Sequence, residues 1–359
     1  MASTSSKSLY VDGNNTFKVI EGMSTYEPGA DELLIETIFS GVNPADIKHA
    51  THLGICSTVL GYDFCGRLLR APRNSKFVPG DIVAGYTPTG IGRPSRYGTH
   101  QRYLCCPENL AWKVPDNVPQ DHAACLTCVA MTAADVVFNL FGFPLPSEKN
   151  VGGVKKPGPM LIWGTSASVG FCTLQLARAV GAHPIFVTAS PGRHERLKEL
   201  GATACFDYAS PSVVADVRAA VKEANCGPIR YALDAVGSLD PPSSAELMTK
   251  CVDEDCDLKL VSTVIQQDRK FTMPLALKDG DVRIRPLGSP TIVTIPGQPQ
   301  EARRMWEILK WTLEHYGKDF TLPEVKKLNG NAEKALEEIK KIADGGGGFG
   351  KFVVEHPIR

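Results

Sequence analysis

Apolar and polar residues follow two different spacings along this chain, and the change between them predicts two kinds of domain. Residues 31–39 mix alternating and apolar positions, and short apolar runs stand at 82–84 and 101–105. Glycine and proline separate these runs. Because such runs and frequent turns are typical of β-rich structure, the first third predicts an irregular β-barrel with one short helix near 44–50.

The middle third changes to apolar runs that alternate with helical patterns. The predicted strands are 160–163, 184–188, 205–208, 231–234 and 259–263, and the predicted helices are 171–180, 192–200 and 213–224. A strand that is apolar throughout is buried on both faces, so this alternation predicts a parallel sheet with helices on both sides.

The last part predicts two helices, 300–316 and 332–343, and a strand at 351–355. A single terminal strand needs a sheet to join, and the simplest partner is the β-rich first third. We therefore expect a β domain of residues 1–130 that is completed by 290–359, and a nucleotide-binding domain of residues 131–289.

The turn after the strand at 160–163 carries the first functional prediction. Small residues occupy most of 164–170, so backbone N–H groups lie open at a helix N-terminus, where a dinucleotide pyrophosphate can bind. The next strand ends near Arg193, with His194 and Arg196 close by and no acidic residue at that point. An acidic residue there would bind a ribose 2′-hydroxyl, whereas a basic one suits a 2′-phosphate. The sequence therefore favours NADPH.

Composition narrows the function classes. The 359-residue chain has a formal net charge of zero, which argues against broad electrostatic binding to nucleic acid or membrane. Residues 1–8 lack the apolar core of a secretory signal, and no segment has the ~20 apolar residues that span a bilayer. Eleven cysteines without regular spacing indicate reduced thiols, so we expect a cytoplasmic protein.

Cys125 and Cys128 form a CxxC pair, which has two interpretations. A redox motif would follow a strand in a thioredoxin-like context, and that context is absent. We favour two buried thiols within a predicted helix at 122–133, because cysteine packs there as a small apolar residue.

Several short motifs, in this order and spacing, resemble the medium-chain dehydrogenases/reductases of the zinc-independent, quinone-reductase-like branch. They are 43–46 (NPAD), 60–66 (LGYDFCG), 77–83 (FVPGDIV), 98–103 (GTHQRY), 161–170, 200–208, 231–237 (YALDAVG) and 350–354 (GKFVV). The resemblance implies an α/β fold, with a GroES-like β-barrel catalytic domain and a Rossmann domain that has a doubly wound parallel sheet and binds the nucleotide.

Within that superfamily the chain is most similar to fungal trans-acting enoyl reductases of polyketide synthases, the lovastatin-pathway type. The pointers are the glycine-poor turn at 164–170, the Ser190-Pro191 step, 206–208 (FDY) and 143–146 (FPLP). The resemblance implies hydride transfer from NADPH to an α,β-unsaturated thioester. Two alternatives stay open: a stand-alone NADPH-dependent reductase of quinones or enones, and a non-catalytic NADPH-binding protein.

The resemblance also implies site residues. Lys48 is the catalytic candidate, as a ligand of the nicotinamide ribose region or a hydrogen-bond or proton donor; the alternative is an exposed lysine on a short helix. Tyr62 is a second donor candidate, or a packing residue. The expected cofactor contacts are Ala45, Asp46, Ile47, Lys48, Ser166, Ala167, Ser168, Val169, Ser190, Pro191, Gly192, Arg193, Tyr208, Thr263, Val264, Gly348 and Phe349. The expected substrate contacts are Thr132, Ala133, Ala134, Asp135, Val136, Ile284, Arg285, Pro286, Leu287 and Gly288.

Zinc is not expected. Zinc members of the superfamily carry Cys where this chain has Asn43, and His-Glu where it has Tyr62-Asp63, so two of three ligands are lost. His49, His52 and Cys56 could share a helix face, but we interpret them as a polar lip with one buried thiol.

The implied partner is the acyl carrier protein domain of a polyketide synthase. Carrier domains are generally acidic, which makes Lys155-Lys156 and Arg93/Arg96 candidates for a docking patch. Prolines at 286, 290 and 296 would interrupt an edge strand late in the nucleotide domain, so we expect a monomer.

Overall fold

The computed structural model describes residues 6–148, 158–253, 257–328 and 330–359. The chain divides into two compact units. Unit 1 comprises Met1–Cys128, Leu277–Pro299 and Glu324–Arg359, and unit 2 comprises Val129–Ala276 and Gln300–Pro323. Among the described residues, no helix is both long enough and apolar enough to cross a membrane.

Unit 1 is the β-rich unit. Its strands are β1 (Lys7–Val11), β2 (Phe17–Glu21), β3 (Glu32–Val42), β4 (Thr58–Val59), β5 (Asp63–Arg70), β6 (Ile82–Tyr86), β7 (Tyr103–Pro107) and β8 (Ala111–Lys113), then β15 (Val282–Ile284), β16 (Val293–Ile295), β17 (Val325–Leu328) and β18 (Lys351–Glu355). Its helices are α1 (Ala45–Leu53), α2 (Gln120–Ala123) and α9 (Ala332–Gly345).

The long strand β3 organises the main sheet of unit 1, whose order is β17-β18-β3-β5-β6-β8, with β7 also paired to β3. The terminal strand β18 runs antiparallel to β3, with Val353 opposite Gly41. Gly41 has no space for a side chain, since a Cβ there would lie 2.2 Å from the Ala124 carbonyl oxygen. The last strand of the chain therefore pairs within the main sheet of unit 1.

Unit 2 has a six-stranded parallel sheet with the order β11-β10-β9-β12-β13-β14. The strands are β9 (Met160–Trp163), β10 (Ile185–Thr188), β11 (Ala204–Phe206), β12 (Tyr231–Asp234), β13 (Lys259–Ser262) and β14 (Phe271–Thr272). The helices are α3 (Thr127–Ala134), which starts two residues before the unit boundary, α4 (Ser168–Ala179), α5 (His194–Glu199), α6 (Val213–Glu223), α7 (Ser244–Thr249) and α8 (Pro299–Glu314). This is the strand order of a dinucleotide-binding Rossmann fold, and the predicted fold class is confirmed.

The two compact units differ from the predicted domains at two segments. Residues 277–289 belong to unit 1, because Arg283 and Arg285 share backbone hydrogen bonds with Ile91 and Leu53. Most of the segment 300–323 belongs with the nucleotide-binding unit, because Arg304 donates to the carbonyl oxygen of Phe138. The proline-rich stretch that we expected at the edge of the nucleotide sheet is a hairpin of unit 1, so it does not bear on the predicted monomer.

The predicted continuous helix at 122–133 is also wrong, since α2 ends at Ala123 and α3 begins at Thr127. Asp63, on the neighbouring strand β5, accepts a hydrogen bond from the Cys128 backbone N–H at 2.9 Å. A carboxylate that caps the first turn of a helix stabilises a new start at that place. The break therefore has a tertiary cause.

Candidate cofactor and active site

Four loops of unit 2 lie at one edge of its sheet, because the parallel strands β9, β10, β11 and β13 all end there. From β9 the chain first adds β10 and β11 on one side of the sheet and then β12, β13 and β14 on the other. Ligands of such sheets bind at the carboxyl ends of the strands, at the point where the chain changes sides. These loops and the first turn of α4 hold all the predicted cofactor residues of this unit, which are Ser166, Ala167, Ser168, Val169, Ser190, Pro191, Gly192, Arg193, Tyr208, Thr263 and Val264.

The loop after β9 is a tight turn tied to the neighbouring strand. Gly164 has a φ of 81°, and its N–H donates to Thr188 Oγ1 at 2.9 Å. The Thr165 N–H donates to the Thr188 carbonyl oxygen, also at 2.9 Å. A Cβ at position 164 would lie 2.1 Å from Val236 Cγ2, so only glycine fits both the conformation and the space.

The N-terminus of α4 follows this turn directly. Its N-cap residue is Ala167, which has no side-chain acceptor for the first N–H groups of the helix. The Ser166 Oγ is buried and has no hydrogen-bond partner. Free helix N–H groups beside an unpartnered hydroxyl fit a phosphate of a bound dinucleotide. Ala167 and Ser168, which make this turn poor in glycine, therefore leave these backbone donors in place.

The loop after β10 presents the basic group. Residues Pro191–Arg193 form a single 3-10 turn, and His194 contacts the Ala189 carbonyl oxygen through Nε2 at 2.9 Å. The Arg193 side chain is exposed, and the Tyr208 side chain, after β11, is 51% exposed. Both side chains can therefore reach a ligand at this edge.

Asp234, at the end of β12, was assigned no role from the sequence, and its side chain fixes the loop after β12 and the end of β13 through hydrogen bonds. Its Oδ1 accepts the N–H groups of Val236 and Gly237, each at 3.1 Å, and its Oδ2 accepts the Ser262 hydroxyl at 2.9 Å. Val236 is 48% exposed although it packs against the turn at Gly164. The YALDAVG motif at 231–237 draws attention to Asp234 in the sequence. Only the fold shows that this carboxylate stabilises these two segments.

The predicted substrate residues Thr132, Ala133, Ala134, Asp135 and Val136 lie at the end of α3 and the start of a π-helical segment, Asp135–Leu140. Asp135 is fully buried. Its Oδ1 accepts from Asn139 Nδ2 and its Oδ2 accepts from the Leu275 N–H, both at 2.9 Å. This carboxylate therefore stabilises unit 2, and the substrate role of the segment stays a prediction.

In unit 1, the predicted cofactor segment Ala45, Asp46, Ile47 and Lys48 forms the first turn of α1. Asp46 is 2% exposed; its Oδ2 accepts the Asn43 N–H at 2.9 Å and lies 3.2 Å from His100 Nε2. Its Oδ1 is buried without a partner. Asp46 therefore anchors the start of α1, while Lys48 is half-buried.

From Asp46 a series of buried polar contacts leads through His100 and Ser40 to His356, near the C-terminus. The Ser40 Oγ lies 2.8 Å from His100 Nδ1 and 2.7 Å from His356 Nε2. When neutral His100 donates to Asp46 through Nε2, its Nδ1 accepts from Ser40, which in turn accepts from His356. Burial lowers the pKa of His356 to about 3, so this ring is neutral.

A second chain of buried polar contacts joins Lys351, Asn43 and Asp63. Lys351 Nζ donates to Asn43 Oδ1 at 2.7 Å and to the Val42 carbonyl oxygen at 2.9 Å. Asn43 Nδ2 donates to Asp63 Oδ2 at 2.9 Å. Burial raises the pKa of Asp63 to about 6, although Lys351 opposes the rise. In the part of the chain that the structure describes, no group of three or more His, Cys, Asp or Glu side chains could hold a metal ion.

Tyr62, the second donor candidate, is 6% exposed and lies between the Arg93 guanidinium and the His49 ring. The Arg93 guanidinium carbon is 4.4 Å from the Tyr62 ring centroid, and the His49 ring is 4.9 Å away. Burial raises the pKa of Tyr62 to about 12 and lowers that of His49 to about 4. His52 has a different partner, the Thr51 hydroxyl at 2.8 Å.

The predicted docking patch at Arg93 is wrong. Arg93 is 6% exposed, and its guanidinium donates to four carbonyl oxygens and to the Thr87 hydroxyl. Arg96 forms a bidentate contact with Glu32 at 3.1–3.2 Å, which neutralises its charge. Lys155 and Lys156 lie outside the described residues.

The remaining predicted residues lie in unit 1. Gly348 and Phe349 precede β18, and Gly348 has a φ of 64°. The second predicted substrate segment runs from the end of β15 into the loop of the β15–β16 hairpin; it consists of Ile284, Arg285, Pro286, Leu287 and Gly288.

Two protein-family models match the chain. The alcohol dehydrogenase GroES-like domain matches residues 29–116, and the zinc-binding dehydrogenase family matches residues 168–307. These matches fall mainly on the β-rich unit and on the nucleotide-binding unit, respectively.

Among curated relatives, the trans-enoyl reductase mpsG of Macrophomina phaseolina is 29% identical over 215 residues. That match covers 58% of this chain and 58% of the relative, so it spans less than two thirds of the relative's length. Further fungal relatives carry the same functional name.

Solved structures share the fold over nearly the full length. The quinone oxidoreductase of Coxiella burnetii has a TM-score of 0.68 at 18% identity, over 98% of this chain and 99% of that one. The CurK enoyl reductase also has a TM-score of 0.68 at 18% identity, over 97% and 98%. With its GroES-like and nucleotide-binding units, the chain belongs to the medium-chain dehydrogenase/reductase superfamily.

Proposed function

We propose that this protein is an NADPH-dependent enoyl reductase that acts in trans on α,β-unsaturated thioesters carried by a polyketide synthase. The observation that carries the proposal is the edge of unit 2, where an uncapped helix N-terminus and exposed Arg193 follow two adjacent parallel strands. The names of the fungal relatives support the substrate class.

The turn at 164–167 and the start of α4 would hold the pyrophosphate, through backbone N–H groups and the unpartnered Ser166 hydroxyl. Ser190 and Arg193 would hold a 2′-phosphate, since a guanidinium matches phosphate with two parallel donors. NADPH supplies a hydride to the β carbon of the substrate when bound.

The transfer leaves negative charge on the thioester oxygen, and the α carbon then takes a proton. Lys48 is our candidate to stabilise that charge, because an ammonium group at a half-buried position is a strong hydrogen-bond donor. Tyr62 is the weaker candidate, since burial raises its pKa to about 12 and makes the phenol reluctant to release its proton.

The reaction class is tested by following NADPH oxidation with a crotonyl thioester of pantetheine, and separately with a simple quinone. We expect turnover with the thioester and a saturated acyl product, identified by mass spectrometry. Turnover with the quinone alone would identify a quinone reductase, and NADPH binding without turnover on either would identify a non-catalytic protein. Lys48→Met should lower kcat on the thioester.

The cofactor choice is tested with Arg193→Ala. Loss of a charge-assisted contact to phosphate costs about 2 kcal/mol, so the Kd for NADPH should rise about thirtyfold while that for NADH stays unchanged. Arg269→Ala is the matched control. Arg269 is exposed and comes just before β14, the outermost strand on the side of the sheet away from β10. An equal effect on both cofactors would contradict the assignment.

A further inference from the structure

The β15–β16 hairpin projects an apolar and basic surface from a fixed base. The two strands pair antiparallel, with Val282 opposite Ile295 and Ile284 opposite Val293. Val282 and Ile284 are buried in a small apolar cluster with Ile55. The hairpin is therefore held firmly to unit 1.

Two backbone hydrogen bonds fix the same strand to unit 1. The Ile91 N–H donates to the Arg283 carbonyl oxygen, and the Arg285 N–H donates to the Leu53 carbonyl oxygen, both at 2.8 Å. These bonds occupy the outer edge of β15, whereas β16 pairs only with β15 among the described strands.

Beyond this base the hairpin exposes large apolar side chains. Leu287 is 65% exposed, Val293 is 40% exposed and Ile292 is 37% exposed. Val293 lies opposite Ile284 and therefore on the face that packs against unit 1. Leu287 and Ile292 lie in the loop between the two strands, and exposed aliphatic side chains that are close together can mark an interaction site.

The charged side chains of this hairpin are all positive. Arg283 and Arg285 are exposed, and neither forms an ion pair with the residues that the structure describes. The sequence from 282 to 300 contains no Asp or Glu. Two unpaired guanidinium groups beside an apolar tip attract an acidic protein surface that has an apolar centre.

We propose that the hairpin surface, defined as Arg283, Arg285, Leu287 and Ile292, docks the acidic carrier domain that delivers the acyl thioester. This proposal rests on the proposed function, since it names the surface at which the carried substrate arrives. A second copy of this chain fits less well, because a two-fold contact places the same residues of both copies near one another, and the arginines would repel.

The test compares a carrier-bound enoyl substrate with the same acyl group on free pantetheine. The double variant Arg283→Glu/Ile292→Ser should lower kcat/KM for the carrier-bound substrate by about tenfold or more, and leave kcat/KM for the pantetheine substrate unchanged. Raising the salt concentration should slow the wild-type reaction with the carrier and have little effect on the variant. Arg73→Glu is the matched control, because Arg73 is an exposed arginine on another loop of unit 1.

Equal activity of wild type and double variant on the carrier-bound substrate would overturn the docking proposal while leaving the enoyl reductase intact. Absence of wild-type turnover on both substrates would instead overturn the proposed function. Light scattering tests whether the hairpin instead joins two copies of this chain. If the wild type has twice the mass of one chain and the variant has the mass of one chain, the hairpin is a self-association surface and carrier docking is rejected.

Discussion

Lys351→Met tests whether the stability of the buried Lys351–Asn43–Asp63 contacts depends on the lysine charge. The Lys351 ammonium group is buried, and it donates hydrogen bonds of 2.7 and 2.9 Å to Asn43 and Val42. Methionine keeps the length of the side chain but removes the charge, so the buried carboxylate of Asp63 loses its compensating cation. Breaking a buried charge pair by removing one partner costs about 3–5 kcal/mol.

The cost depends on pH, and the sign follows from Asp63. Its pKa is about 6 in the folded protein against a usual value of 3.8. The folded state therefore binds more protons than the unfolded one between these values, and stability falls as pH rises through that window. Without Lys351 the folded pKa rises further, so the loss continues above pH 6. The variant should be closest to wild type under acidic conditions.

Thermal unfolding followed by scanning calorimetry at about pH 5 and pH 8 measures both effects. At about 2–4 °C per kcal/mol, Tm should fall by about 6–20 °C at the higher pH and by less at the lower. Lys326→Met is the control, since Lys326 is 48% exposed and forms a surface ion pair worth at most about 1 kcal/mol. A gap between wild type and variant that is independent of pH would refute the role of Asp63.

Three further predictions follow from the same contacts. Gly164→Ala should abolish NADPH binding in a titration of cofactor fluorescence, because its Cβ would clash with Val236; an unchanged Kd would contradict the tight turn. His100→Phe removes one of the two hydrogen-bond partners of the buried Asp46 carboxylate and should cost about 2–4 kcal/mol in urea unfolding, and a cost below about 1 kcal/mol would show that the contact is not needed. Burial raises the pKa of Cys125 to about 12, so mass spectrometry should find no iodoacetamide label on that thiol at pH 8 before unfolding.

Local pattern was sufficient for the nucleotide-binding unit. Strands β9 and β12 lie at the predicted bounds, because each is a short, mostly apolar run between turn residues. The position of Arg193 after β10 also followed from the strand alone, since residues at the carboxyl end of a parallel strand face the ligand edge.

Helix ends and the membership of loops were less predictable. The helix predicted at 122–133 stops because a carboxylate on β5 caps a new start at Thr127, and Asp63 is far away in sequence. Residues 282–289 of the hairpin were predicted in the nucleotide-binding domain but lie in unit 1, because two backbone hydrogen bonds join β15 to Leu53 and Ile91.

The sequence by itself determined the two kinds of domain, the turn before α4 and the basic end of β10, because each depends on residues adjacent in the chain. Only the tertiary structure decided which polar residues form one buried network. Ser40 and His356 are separated by 316 positions and yet lie 2.7 Å apart. Such contacts leave no local period in the sequence, because the burial that makes each polar group seek a partner arises only when β3, α1 and β18 pack together.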